Sequence, residues 1–218
     1  MGLSMCVGLL ADDEAEGESE SAGKLRADFA VVRQVLAEAG AAPWDEPELD
    51  EQDVRWFDMV GYSGLHTLRR LAVHLAEHGS LPEPPGNTGP ASRDPLLMDA
   101  YADMPGSPPG PFDHLVHHSD CEGYYVPVPF DEVIVDERLV GGHLGSSVRL
   151  LDEVRRIAAA LELPADLAPA TGDVFDAADA ETPAAEVWRR HGVESYTCLQ
   201  LIGAAEHSIA TGAALVFC

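Results

Sequence analysis

The sequence predicts a mixed α+β or α/β fold, a single domain over residues 1–218 with about five helices around a small mixed sheet. Three observations lead there. Apolar residues recur at helical spacing in several separate segments. Short apolar runs of strand length stand at the start (SMCVGLLA), in the middle (GYYVPV, EVIVD) and at the end (ALVFC). Hydrophobic residues make up 46% of the 218, enough to close a core.

The elements follow in order. Ser4–Ala11 reads as a buried strand, and DDEAEGESESAG after it as an acidic linker. Leu25, Phe29, Val32 and Leu36 mark an amphipathic helix ending at Gly40. Residues 41–53 form an acidic loop broken by proline. Tyr62–His78 reads as a helix with Ser63 as N-cap and a buried stripe of Leu65, Leu68, Ala72 and Leu75. Proline-rich loops near residues 80–111 surround a short helix at Leu96–Tyr101; a loop this long is a lid, a binding loop or a disordered segment. Phe112–His118 fits two helical turns. Pro127 and Pro129 restrict the GYYVPV strand to an edge or an interrupted position. Ser146 or Ser147 caps a helix with the stripe Leu150, Leu151, Val154, Ile157, Ala158 and Leu161, stopped at Pro164. Thr182-Pro183 opens a further helix that Gly192 ends. Leu199, Ile202, Ala205 and Ile209 mark the last helix, closed by Gly212, and ALVFC finishes as a strand. Strand order is not readable from the sequence.

Thirteen basic residues stand against thirty-eight acidic ones, for a net charge of −25. This argues against nucleic acid and anionic membranes as direct partners, and it suits either a solvated surface or a negative face for a basic protein. The single lysine, Lys24, and the abundance of Ala, Gly, Pro and Arg look like high-GC coding bias, as in actinobacteria, where acidic proteins are common. No apolar run approaches the roughly 20 residues of a membrane span. The start lacks a basic leader and turns acidic after ten residues, which argues against a signal peptide, and position six is Cys6 rather than the Ser or Thr of a myristoylation signal. Cys6, Cys121, Cys198 and Cys218 form no C-x-x-C pair, so the expectation is a reduced, cytoplasmic protein without structural disulfides.

Two stretches gather chemistry. In FDHLVHHSDCEGYYVPVPF, His114, His117 and His118 stand close to Asp120 and Glu122. Two imidazoles and a carboxylate suffice for zinc or iron(II). Against this, no H-E-x-x-H is present, and His117 and His118 point about 100° apart on a helix. No cofactor is therefore expected, and a divalent metal, if bound, would sit on His118, Asp120 and Glu122. In GYSGLHTLRR, Ser63, His66 and Arg70 share a face away from the leucine stripe. Ser63 with His66 raises nucleophilic catalysis, but a capping serine is already engaged by backbone N–H, and no G-x-S-x-G elbow exists. Arg69 or Arg70 either binds an anion or pairs internally with Asp120 or Glu122. The turn before Val148, GSS, is a weak anion-site signal that ordinary capping explains.

Tyr62–Arg70 (Y-S-x-L-H-x-L-R-R) and His118–Val128 (H-S-D-x-E-G-Y-Y-V-P-V), with the Gly145-Ser146-Ser147 helix start, resemble a family of small uncharacterised bacterial proteins over most of the chain. The resemblance implies no activity. It centres on H-S-D-x-E-G-Y-Y, which gives His118 more weight than His114 or His117.

Two functions stand side by side. One is a cytoplasmic acidic binding protein, of immunity or antitoxin type, with a basic protein partner. It requires a continuous acidic face including Asp45–Asp53. The other is a small-molecule enzyme or ligand binder. There His118, oriented by Asp120, with Glu122 and His66, would do acid–base work, while Arg69, Arg70, Tyr124, Tyr125 and Ser63 would hold the ligand. That reading requires both segments to converge in one concave site.

Overall fold

The chain is seen in a computed structural model that describes residues 3–17, 19–59, 61–84, 89–103, 108–120, 122–169, 171–179 and 184–218. The apolar start forms β1 (Ser4–Val7), and the apolar end forms β6 (Leu215–Phe217). They pair antiparallel, with Cys6 opposite Val216. Around this central pair the sheet runs β2 (Arg55–Asp58), β1, β6, β3 (Tyr124–Val126), β5 (His143–Ser146), β4 (Ile134–Val135). Only β3 and β5 run parallel, so the sheet is mixed.

Alternation along each strand sends side chains to two cores. Met5, Val7, Tyr125, Leu215 and Phe217 face one side. There they meet α3 (Gly61–His78), α5 (Asp113–Val116), α6 (Ser147–Ala160) and α9 (Gly192–Thr211). Tyr124, Val126, Leu144 and Val216 face the other, where α2 (Ser19–Glu38) lays Leu25, Phe29, Val32 and Leu36 over them. The sheet is thus covered on both faces. The inner strands β1, β6 and β3 are short and apolar because they are buried on both sides.

Several elements differ from their sequence reading. The strand stops at Val7, because Gly8 at φ +88° turns the chain directly into α1 (Leu9–Glu16). The acidic stretch is therefore helical, and its Asp13 is buried and accepts from Ser21 Oγ at 2.6 Å. β2 lay hidden in an exposed, charged run because it is an edge strand paired only with β1. α3 begins at Gly61, so Ser63 is an exposed residue inside its first turn and not the cap. The short helix appears as α4 (Pro95–Ala102), with Asp94 Oδ1 accepting from Leu96 N at 3.1 Å. α5 is a single turn rather than two. HLGS is strand β5, and Ser146 at its end caps α6 by accepting from Arg149 N at 3.2 Å. α7 (Gly172–Ala178) has only Val174 and Ala177 buried, too few apolar positions to mark a helix in the sequence. Thr182 and Pro183 lie outside the described residues; beyond them come the short α8 (Val187–Arg190) and then α9, which Gly192 starts rather than follows. Helices exceed the expected five, and α9 is buried on nearly every face, except that Ile209 of its expected stripe is exposed.

Cys6 and Cys198 are buried and free, and Cys218 is exposed and free. Cys121 lies outside the described residues. Among the described residues no helix is long and apolar enough to cross a membrane.

Candidate functional site

The two resembling segments do meet, and Arg69 is where they meet. Residue 69 sits on the inner face of α3 at 0% exposure. Its Nε donates to Leu115 O at 2.7 Å, and its Nη2 donates to His118 O at 2.7 Å and Ser119 O at 3.3 Å. Its Nη1 pairs with the Asp120 carboxylate. One guanidinium thus ties off the carbonyls at the end of α5 and the turn after it. A buried planar cation needs several acceptors, and the end of a helix supplies free carbonyls. Asp120 Oδ2 also lies 3.6 Å from His66 Nε2, and His66 Nδ1 lies 2.8 Å from the Tyr101 hydroxyl. Tyr101, from α4, was missed by sequence reasoning; only a match between the face of α3 and that of α4 could have found it.

His118 is a core residue. Its ring stacks on Tyr125 with centroids 4.0 Å apart and leans on Phe217 at 5.3 Å. Nδ1 lies 3.2 Å from Ser119 O and Nε2 3.1 Å from Tyr124 O. Burial holds its pKa down to about 3, against the opposing pull of the two carbonyl oxygens. Gly123 is at φ +100°, and a Cβ there would stand 3.2 Å from the His118 ring, so glycine serves both the turn and the close approach.

The other candidates disperse. Glu122 is exposed, and Ser63 is exposed on α3. Arg70 points away from Arg69: its Nε donates to Asp94 Oδ2 at 2.8 Å, where His74 Nε2 also arrives at 3.0 Å. Tyr124 and Tyr125 alternate across the sheet. Tyr124 donates to Asp28 Oδ2 at 3.0 Å on the α2 side, and Tyr125 donates to His114 O at 2.7 Å on the α3 side. His114 itself accepts from Ser146 N at 3.0 Å, and Glu153 from α6 caps α5 by accepting from His114 N at 3.1 Å and Leu115 N at 2.7 Å. Burial raises the Glu153 carboxyl to about 8 and lowers His114 to about 4. His118, Asp120 and Glu122 do not share a centre: the His118 ring lies in the core, Asp120 pairs with Arg69, and Glu122 is exposed. Among the described residues no group of three His, Cys, Asp or Glu side chains gathers to hold a metal ion. Beside the corner lies an open recess of about 260 Å³, with Tyr101, His117, Asp120 and His143 in its walls.

A larger concavity lies on the opposite layer. α1, α2 and the loop before β2 enclose a groove of about 640 Å³. Its floor is apolar (Leu10, Phe29, Leu49), and its rim carries Glu14, Asp45, Glu46, Glu48 and Asp50. The loop is clamped from below: Trp44 Nε1 donates to Gly212 O at 2.9 Å, and Glu46 Oε2 accepts from Ala214 N at 2.7 Å. Burial raises Glu46 to about 7. Gly8 packs against Leu49 and Val54, which brings the acidic α1 beside the acidic loop. Glu48 and Asp50 are exposed and make no ion pair among the described residues. Elsewhere many carboxylates hold an arginine, as Asp131 holds Arg149 and Glu206 holds Arg155. Exposed acids also occur far from the groove, at Glu77, Glu137 and Asp166, so the charge is not confined to one face.

The family model described as "Putative DNA-mimic protein" matches residues 1–217. No curated protein and no solved structure matches the chain. The family match corrects one expectation drawn from the charge. The charge of −25 argues against nucleic acid as a direct partner, and the match overturns leaving nucleic acid out of account, because a DNA mimic carries such charge in imitation of nucleic acid. A basic protein partner remains compatible with the match. Over essentially its whole length, the chain belongs to the Putative DNA-mimic protein family.

Proposed function

We propose that the protein occupies the DNA-contacting surface of a DNA-binding protein, with carboxylates standing where phosphates would stand. The observation that carries this is the pairing of a −25 charge with exposed carboxylates left without cations, Glu48 and Asp50 foremost, in a chain of this family. A surface that binds DNA is basic, and it gains affinity from each charge it neutralises. Rigid carboxylates on a folded frame offer the same field. In the narrower form of this reading the partner is a basic toxin acting on DNA, and the protein is its cytoplasmic antitoxin. The His66–Arg69–Asp120 corner is scaffold in both forms.

The test is capture and release. Immobilised protein is exposed to a lysate of its source, and the bound proteins are challenged with duplex DNA. DNA-binding proteins released by duplex, in a salt-dependent manner, support the reading. Captured proteins that all stay bound in excess duplex, or a captured set without DNA-binding proteins, overturn it. For the antitoxin form, co-expression should relieve growth arrest caused by the captured partner.

A further inference from the structure

Two of the groove's carboxylates are already holding arginines, and both arginines come from the same face of one helix. Arg26, Phe29 and Arg33 stand at i, i+3 and i+7 of α2. Phe29 is buried in the groove floor, edge-on to Trp44 at 5.5 Å. Arg26 reaches up to Glu14 on α1, and Arg33 reaches across to Asp45 on the loop. The four side chains are 46–70% exposed, so each pair is solvent-screened and weak. The groove therefore shows within one molecule the chemistry it accepts: a guanidinium on a carboxylate rim, over an apolar floor.

We infer that this groove is the docking site for an arginine-rich segment of the partner, and that Arg26 and Arg33 are internal stand-ins which the partner's guanidinium groups displace. The inference rests on the proposed function and locates it. Exchange costs little, because one exposed ion pair replaces another and Glu48 and Asp50 add unpaired charge. The apolar floor accepts the methylene stems of the incoming arginines, which Arg side chains lay along apolar surface while the head stays in water. The stand-ins offset part of the repulsion among the groove's carboxylates. They also set a threshold, since a partner must offer more than a single cation to gain.

The probe is a fluorescein-labelled nonaarginine peptide, titrated by anisotropy at about 0.15 M salt. Arg26→Gln with Arg33→Gln frees the rim and should tighten binding about tenfold. Arg155→Gln with Arg156→Gln, on α6 in the other layer, makes the same change in net charge and should leave affinity within about twofold. Glu14→Gln with Asp45→Asn strands the two arginines in the groove and should weaken binding about tenfold, with thermal melts showing each protein folded. These factors are sized on screened pairs worth up to about 1 kcal/mol each. Equal tightening by both arginine double variants would overturn the groove as the site and leave the acidic-surface reading standing. No binding of the peptide by any of the proteins would overturn that reading itself.

Discussion

Arginine meets carboxylate both at the α3–α5 corner and in the α1–α2 groove, with opposite consequences. Arg69 has no exposed surface, three carbonyl oxygens and one carboxylate. Arg26 and Arg33 each have one carboxylate, and their side chains are more than half exposed. A buried guanidinium that loses one acceptor leaves a charge without compensation, so the corner is rigid and unavailable for exchange. An exposed pair that opens is met by water at once, so the groove is exchangeable. Burial and the number of acceptors, rather than residue type, separate a fastening from a binding surface.

The largest expected effect breaks the corner. Arg69→Ala should cost about 3–5 kcal/mol in denaturant unfolding, because three carbonyls lose their donor and a fully buried side chain leaves a cavity, while the half-exposed Asp120 carboxylate is met by water. Where the variant still folds, affinity for the basic peptide should be unchanged. A stable Arg69→Ala protein would mean that the corner is not a fastening.

The next effect is read by pH. Glu153 has a folded pKa of about 8 against 4.5 unfolded, so the folded state holds a proton that the unfolded state has released in between. Stability then falls as pH rises from 4.5 to about 8, by on the order of 5 kcal/mol across the whole range. His114 and His118 act in the opposite sense: their folded values of about 4 and about 3 make stability rise with pH up to 6.5. Glu46, with a folded value of about 7, adds to the fall below that pH, so unfolding measured between about 7 and about 8 reports chiefly on Glu153, and Glu153→Gln should flatten that limb.

His118→Ala should cost roughly 2–3 kcal/mol, through the lost stacking on Tyr125 and Phe217 and the cavity left behind. Peptide affinity should again not change. A drop in affinity with intact stability would move the binding surface to the corner and erase the contrast.

The smallest effect on folding belongs to the groove. Glu48→Gln with Asp50→Asn should leave stability within about 0.5 kcal/mol, or raise it slightly by relieving repulsion. Binding of the basic peptide should weaken about tenfold, near 1.4 kcal/mol. A matched pair at Asp166 and Asp176 should do neither, which checks that position counts as well as charge.

What the sequence determined alone is what local spacing encodes. The stripes Leu25–Leu36, Leu65–Leu75 and Leu150–Leu161 repeat with the helix period, and the structure places helices on them. The terminal apolar runs are strands, and the acidic excess is plain in the composition. β2, α1 and α7 escaped, because an edge strand and short charged helices carry too few buried residues to show a period. Of the site, an internal pair of Arg69 or Arg70 with Asp120 or Glu122 was one of two readings open in the sequence, and the structure makes it Arg69 with Asp120; which arginine and which carboxylate was not legible. Arg69 and Asp120 are 51 residues apart, and Arg70, one position on, points about a third of a turn away to Asp94. Only the tertiary structure decided that His118 is sealed in the core and that Arg26 and Arg33 bridge a groove. Those outcomes depend on how helices cross and what they shield from water, and residues far apart in the chain leave no local trace of it.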